Sequence, residues 1–165
     1  VYDFMKDAEK AKEYQIEKIP ATAVIGKKDY GIRFYGIPSG YEVVALVQDI
    51  IDASKGGTKL SEETRNKLKT VNRPIHIQVF VTPTCPYCPG MVRLAHQFAL
   101  ESEFIRADMV EAAEFPQLTQ KYAIMAVPKT IINEKVEVLG AVTEERLVEK
   151  VLQALDASAD ISPIV

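Results

Sequence analysis

The chain is 165 residues long, 47% hydrophobic and 26% charged, with a formal net charge of −3. This length and composition indicate a globular protein of one large or two small domains. No apolar run approaches the length of a membrane span, and the scattered basic residues argue against nucleic acid as the main partner. Two cysteines are too few for a disulfide framework and no signal peptide is visible, so we expect a cytoplasmic protein.

The first third of the chain predicts a helical stretch, a pair of strands and a longer helix. The two strands and the longer helix are predicted at Ile19–Ile25, Gly31–Tyr35 and Gly40–Ala53. Ser39 and Glu42 have the spacing of a capping box at the start of the longer helix. After a break at Ser54–Thr58, a connecting helix is predicted over Leu60–Val71, with Ser61 as its N-cap.

Both cysteines lie where a buried strand meets a helix. The strand is predicted at Ile75–Thr82 from its alternating β-branched residues, and the helix from the apolar spacing over Met91–Leu100. Cys85 and Cys88 therefore stand at or beside a helix N-terminus, where free N–H groups and the helix dipole stabilise a thiolate. Pro89 has no N–H to donate, so we expect the helix to be distorted just after the motif.

The spacing of the two cysteines indicates a reactive pair. A helix N-terminus within a Cys-X-X-Cys motif lowers a cysteine pKa from about 8.5 to roughly 3.5–7.5, so Cys85 is the expected nucleophile. Cys88, one turn further on, is placed to attack the mixed disulfide that Cys85 forms. A zinc site is an alternative, but zinc takes four ligands and the further candidates are His76 and His96. A purely structural disulfide would close too short a loop to constrain the unfolded chain.

The order helix–strand–strand–helix recurs in the second half of the chain. Its elements are predicted at Gln117–Tyr122, Val127–Ile132, Val136–Leu139 and Glu144–Leu155, with Thr143 as the last N-cap. Pro20 and Pro128 open corresponding strands of the two copies. The second copy follows a strand–helix–strand unit that ends near Phe104–Asp108 and that the first copy lacks. We therefore expect the first hairpin to be short of a partner strand and the chain to be a fragment.

These patterns divide the chain into four predicted segments. Residues 1–54 form a partial unit, residues 55–73 a linker and connecting helix, residues 74–157 a complete unit with both cysteines, and residues 158–165 a tail.

The motifs also resemble a known family. The tandem copy, the run Thr84–Gly90 (TCPYCPG) and the run Ala126–Lys129 (AVPK) are similar to the protein disulfide oxidoreductases of hyperthermophilic archaea and bacteria. The resemblance implies an α/β fold of tandem thioredoxin-like, glutaredoxin-like units, the first lacking its strand–helix–strand part and the second complete, with a mixed four-stranded sheet flanked by helices. The family has a Cys-X-X-Cys in each unit, and here the first would precede Val1 and is missing.

The resemblance implies further residues of the site. Pro128 is expected to be cis and to lie against the sulfurs, with Pro20 as its counterpart in the first unit. Val127 would offer its backbone to an extended substrate strand. Pro86 and Tyr87 are expected to contact the substrate at the rim of the sulfurs. Lys129 is a candidate for positive potential near Cys85.

We therefore predict a thiol-disulfide oxidoreductase that reduces protein disulfides, and also oxidises or reshuffles them, with no bound cofactor. Isomerase activity is doubtful with a single dithiol. The resemblance implies a thioredoxin-reductase-type flavoenzyme as electron donor, with protein disulfides and peroxiredoxins as clients. The alternatives are an electron-shuttle domain that serves a peroxidase, a metal or iron–sulfur module, and a peptide-binding module of thioredoxin fold without redox chemistry.

Overall fold

The computed structural model describes residues 1–157, which form six strands and six helices around one mixed sheet. The strands are β1 Ala21–Ile25, β2 Asp29–Tyr35, β3 Ile75–Val81, β4 Ile105–Glu111, β5 Lys129–Ile132 and β6 Val136–Leu139. The helices are α1 Ala8–Glu13, α2 Glu42–Lys55, α3 Glu62–Leu68, α4 Cys88–Glu101, α5 Pro116–Lys121 and α6 Glu144–Ala157. The predicted tail, residues 158–165, lies outside the described residues. No helix of the described part is long and apolar enough to cross a membrane.

The sheet has the strand order β1-β2-β4-β3-β5-β6. β3 and β4 are parallel and are joined by α4, because a parallel pair needs a crossover connection. β5 pairs with β3 and β6 with β5, both antiparallel. The mixed four-stranded sheet predicted for the second unit is therefore confirmed in β4-β3-β5-β6.

The hairpin of β1 and β2 is not isolated, which differs from our expectation. β2 runs parallel to β4, in a register that extends from Ile32 opposite Ala107 to Tyr35 opposite Val110. Burial explains the pairing, since Ile32 and Tyr35 are fully buried once the edge of β4 is covered. The whole described chain thus shares one sheet, with β1 at its edge.

The two faces of the sheet carry separate apolar clusters. One cluster contains buried residues from α2, α3, α4 and α6, together with both cysteines. The other lies on the opposite face, where Phe80, Phe115 and Tyr122 pack beneath α5. Alternate side chains of each strand enter alternate clusters, as the period of a strand requires.

Two predicted caps are confirmed. Ser61 Oγ accepts a hydrogen bond from the Thr64 amide at 3.1 Å, and Thr143 Oγ accepts one from the Arg146 amide at 3.4 Å. The kink predicted from Pro89 is wrong, because α4 runs unbroken from Cys88. Pro89 lies in the first turn, where an N–H would have no partner within the helix.

The capping box predicted for Ser39 and Glu42 is also wrong. The N-cap of α2 is Tyr41, and no side chain caps this helix. Gly40 has a φ of 59° and lies so close to the Pro83 carbonyl that a Cβ on Gly40 would collide with it. This contact fixes the chain before the helix, and the Glu42 side chain is buried instead of reaching back to a cap.

Candidate active site

Cys85 and Cys88 form a disulfide at the end of β3 where the chain enters α4. Cys85 lies in the turn before the helix, where its amide donates to the Thr82 carbonyl at 3.1 Å. Cys88 is the first residue of α4. Cys85 is 8% exposed whereas Cys88 is fully buried. The two sulfurs therefore share the positive end of one helix but differ in access from solvent.

The Val127–Pro128 peptide bond is cis, as predicted, and so is the Ile19–Pro20 bond. Lys129 is paired with Phe80, so Pro128 comes one residue beyond this pair, level with the last residue of β3. This is the end of β3 from which the chain runs to Cys85. The Val127 backbone makes no hydrogen bond to another backbone group of the described chain. Val127 is partly buried and packs against both apolar clusters.

The surface around the cysteines is apolar. Tyr87, between the two cysteines, is 71% exposed, and Met125, just before the cis proline, is 92% exposed. Pro86 is also exposed at this turn. Exposed aromatic and methionine side chains adapt well to varied apolar partners.

Lys129 does not face the sulfurs, so this prediction is wrong. Its Nζ donates to the Tyr122 carbonyl at 2.9 Å and pairs with Glu137 at 2.9 Å. Tyr122 belongs to the cluster on the face of the sheet opposite α4. The alternation of side chains along β5 sends Lys129 to that face, one position after the proline.

Neither histidine adjoins the cysteines. His76 lies near the start of β3, at the opposite end from Cys85, and its Nε2 is 2.6 Å from Asp108 Oδ2. His96 is fully buried two turns along α4, with its Nδ1 2.6 Å from Asp49 Oδ2. Among residues 1–157, no group of three or more His, Cys, Asp or Glu side chains is arranged to hold a metal ion.

Glu42 is a residue that the sequence analysis missed as part of the site. Its side chain is almost fully buried, and neither carboxylate oxygen has a hydrogen-bond partner. Burial, assisted by the negative charge of Asp49, raises the pKa of Glu42 from 4.5 to about 7. A carboxyl group without partners and with such a pKa exchanges protons at neutral pH.

Glu42 is placed by the packing of α2 along α4. At one end, the Tyr41 amide donates to the Pro83 carbonyl at 3.1 Å, two residues before Cys85. Further along, Asp49 of α2 bonds to both Arg93 and His96 of α4. The helices therefore run in the same direction with their N-termini together. Glu42 is two turns before Asp49 and so is level with the first turn of α4, which begins with Cys88.

Comparison with known proteins agrees with this geometry. Residues 75–153 match the model of the thioredoxin domain family. The thioredoxin of Methanocaldococcus jannaschii is 38% identical over 82 residues, which cover 49% of this chain and 96% of that protein. An alkyl hydroperoxide reductase of Staphylococcus epidermidis is 29% identical over 147 residues, which cover 88% of this chain and 29% of the relative.

A solved structure matches most of the fold. The protein disulfide oxidoreductase of Aeropyrum pernix superposes with a TM-score of 0.85 and 35% identity, over 93% of this chain and 67% of that chain. The chain spans about 30% of the length of the longer curated relatives that it matches along most of its own length. These matches confirm the resemblance inferred from the sequence motifs, and they agree with the disulfide between Cys85 and Cys88. The chain therefore belongs to the thioredoxin family and is a disulfide oxidoreductase of that family.

Proposed function

We propose that this chain reduces protein disulfides, with Cys85 as the attacking nucleophile and Cys88 as the resolving thiol. The difference in access between the two sulfurs carries the proposal. A client disulfide can reach Cys85, whereas Cys88 is fully buried and can react only with a sulfur already attached to Cys85. Cys85 also precedes the N-terminus of α4, which favours its thiolate.

Two exchange steps complete the reaction. The Cys85 thiolate attacks one sulfur of the client, a mixed disulfide forms, and the first client thiolate leaves and takes a proton from water. Cys88 then loses its proton and attacks the Cys85 sulfur, which forms the Cys85–Cys88 disulfide. The second client thiolate leaves and is protonated. Two electrons have then passed from the dithiol to the client.

Glu42 is the proposed proton acceptor for Cys88. Its carboxylate is level with the first turn of α4 and has no hydrogen-bond partner, so it is free to take up the thiol proton. A base with a pKa of about 7 is matched to a reaction at neutral pH. The proton would return to the second client thiolate as it leaves.

Val127, Pro128, Pro86 and Tyr87 are the proposed client-binding residues. The backbone of Val127 is available to pair with an extended client segment, in the manner of an added β-strand. Pro128, at the same end of the sheet, would keep other groups away from the sulfurs. The exposed ring of Tyr87, with Pro86 beside it, gives an apolar contact for client side chains.

The partners proposed are a thioredoxin-reductase-type flavoenzyme as electron donor and protein disulfides, including those of peroxiredoxins, as clients. The reducing cytoplasm is the proposed compartment, since a reductase needs a continuous supply of electrons. A second candidate function is that of an electron-shuttle domain serving a peroxidase. The match to the staphylococcal alkyl hydroperoxide reductase over 88% of this chain favours it. Both candidates use the same dithiol.

Insulin reduction with dithiothreitol as electron source tests the proposal. The wild type is expected to accelerate the reduction, and Cys85→Ser to lose all acceleration. Cys88→Ser should instead accumulate a covalent adduct with one insulin chain, visible by mass spectrometry, because Cys85 can still attack. Activity that survives in Cys85→Ser would contradict the proposal. Faster reduction of an oxidised peroxiredoxin than of insulin would favour the electron-shuttle function.

A further inference from the structure

A buried network of charged side chains joins α2 to α4 behind the cysteines. Asp49 Oδ1 accepts from Arg93 Nη1 at 2.7 Å, and Asp49 Oδ2 pairs with His96 Nδ1 at 2.6 Å. Asp52 Oδ2 accepts from Arg93 Nη2 at 2.7 Å. The Asp49 and His96 side chains are fully buried. Apolar side chains of similar size would pack there at a lower desolvation cost, so stability alone does not account for this network.

The network fixes how far α2 is shifted along α4. Arg93 and His96 are three residues apart on α4 and hold the two oxygens of one carboxylate, Asp49. A carboxylate held from two neighbouring turns can neither slide along the partner helix nor rotate away from it. Glu42 is two turns before Asp49 on the same side of α2, about 10 Å along the axis. The position of Asp49 therefore determines where Glu42 stands relative to Cys88.

We propose that Asp49 is a positioning residue for disulfide exchange, which through Arg93 and His96 holds the Glu42 carboxyl level with the Cys88 sulfur. This inference rests on the proposed function, since it assigns Asp49 a role in the proton transfer from Cys88. Asp49 acts through Glu42 and does not itself meet the client.

The charge of Asp49 gives the network a second effect on Glu42. Asp49 and Asp52 on α2 face the single positive charge of Arg93, so the negative charge of Asp49 is only partly compensated. The remaining titratable groups that face this interface are His96 and the two cysteines of α4. β1 has no titratable side chain, and Arg33 of β2 turns away to bond the Tyr14 carbonyl and Asp29. Asp49 thus raises the affinity of Glu42 for a proton.

Single-turnover reduction of a fluorogenic disulfide peptide, followed across the neutral pH range, tests this role. Asp49→Asn keeps the size of the side chain and removes its charge. We expect the midpoint of the rate profile to move to lower pH by about 0.5–1 unit, the effect of one charge about 10 Å away in a protein. The plateau rate should fall severalfold, because the carboxylate is held less firmly and is a weaker base.

Asp52→Asn is the matched control. It removes the same charge from the same helix and one bond to Arg93, but it is about 15 Å along the axis from Glu42. Its midpoint should stay at the wild-type value. An equal shift in Asp49→Asn and Asp52→Asn would overturn the proposal, because the effect would then not depend on distance from Glu42. Should Asp49→Asn fail to fold, Arg93→Met breaks the same clamp from α4 and should lower the plateau rate; an unchanged plateau would overturn the proposal.

Two further variants separate this inference from the proposed function. Glu42→Gln should lose the rate change near pH 7 altogether. An Asp49→Asn profile identical to wild type, beside an altered Glu42→Gln profile, would overturn the role of Asp49 and leave the reductase function standing. Reduction of the peptide by Cys85→Ser would instead overturn the function itself. Iodoacetamide alkylation of Cys85 in each variant shows that its own reactivity is unchanged.

Discussion

The two cysteines differ chemically because one helix presents them differently. Cys85 lies before the helix N-terminus and keeps some contact with solvent, whereas Cys88 is enclosed by the apolar cluster between α4 and the sheet. An enclosed thiol loses its proton at a cost, because burial disfavours the thiolate. A base within the same enclosure offsets this cost, and Glu42 is the carboxyl group placed to do so.

The ionisation of Glu42 makes stability depend on pH. Its pKa is 4.5 in an ordinary environment and about 7 in the fold. Between these values the folded protein retains a proton that the unfolded chain has lost, so stability falls as pH rises through this window. The full effect is about 3 kcal/mol. We expect Glu42→Gln to remove this part of the pH dependence, measured by urea unfolding of the oxidised protein at pH 4.5 and above pH 7.

Glu62→Gln is the control for this measurement. Glu62 is also the first residue of a helix, α3, but its side chain is exposed. Its substitution should leave the pH dependence as in wild type. Parallel pH dependences of wild type and Glu42→Gln would contradict the prediction.

Single residues show where sequence patterns succeed and where they fail. The roles expected of Cys85 and Cys88 followed from local spacing, since a strand–helix junction places both at a helix N-terminus. Glu42 was missed because its spacing from Ser39 is that of a capping box, and only the contact of Gly40 with Pro83 turns the carboxyl inward. That contact joins positions far apart in the chain, and no local pattern contains it.

Among the helices and strands, the start of α2 has the strictest local requirement. Gly40 has a φ of 59°, a conformation that costs a side-chain-bearing residue about 1–2 kcal/mol, and a Cβ there would strike the Pro83 carbonyl. We expect Gly40→Ala to lower stability by more than this backbone cost alone. It should also slow disulfide reduction, because the start of α2 moves away from the turn that carries Cys85. Urea unfolding and the insulin assay measure the two effects.

Gly56 at the other end of α2 is the matched control. It has a φ of 70°, and a Cβ would approach only the Tyr30 hydroxyl and the end of the Lys27 side chain. Gly56→Ala should show the backbone cost alone and keep the wild-type rate of insulin reduction. Equal activity of Gly40→Ala and Gly56→Ala would show that the contact with Pro83 does not support the site.

Element boundaries were predicted well wherever the pattern was local. β6 was predicted residue for residue, and the Ser61 cap of α3 was found from its position before a run of helix-forming residues. The pairing of β2 with β4 was not predicted, because it joins segments about 70 residues apart that share no turn. Strand partners of this kind are chosen by the fit of two buried faces, which one strand alone does not reveal.

At the scale of the whole molecule, the two copies of the repeat share one sheet and one core. β2 joins β4, and α2 is bound to α4 by the Asp49 network, so the first segment is attached to the second on two layers. Phe34 and Ala45 of the first segment belong to the same cluster as Leu147 of the second. A site that draws Glu42 from one copy and the cysteines from the other requires this attachment.

The shared core predicts that both copies unfold together. Leu147→Ala removes a fully buried side chain from α6, at a cost of about 2–5 kcal/mol. We expect hydrogen exchange of amides in β2 and β3 to lose protection by the same free energy, although β2 does not touch α6. Leu139→Ala, at a 68% exposed position, should change neither strand. Loss of protection in β3 with β2 unaffected would mean that the copies unfold separately, and the rigid placement of Glu42 beside the cysteines would then not survive local opening.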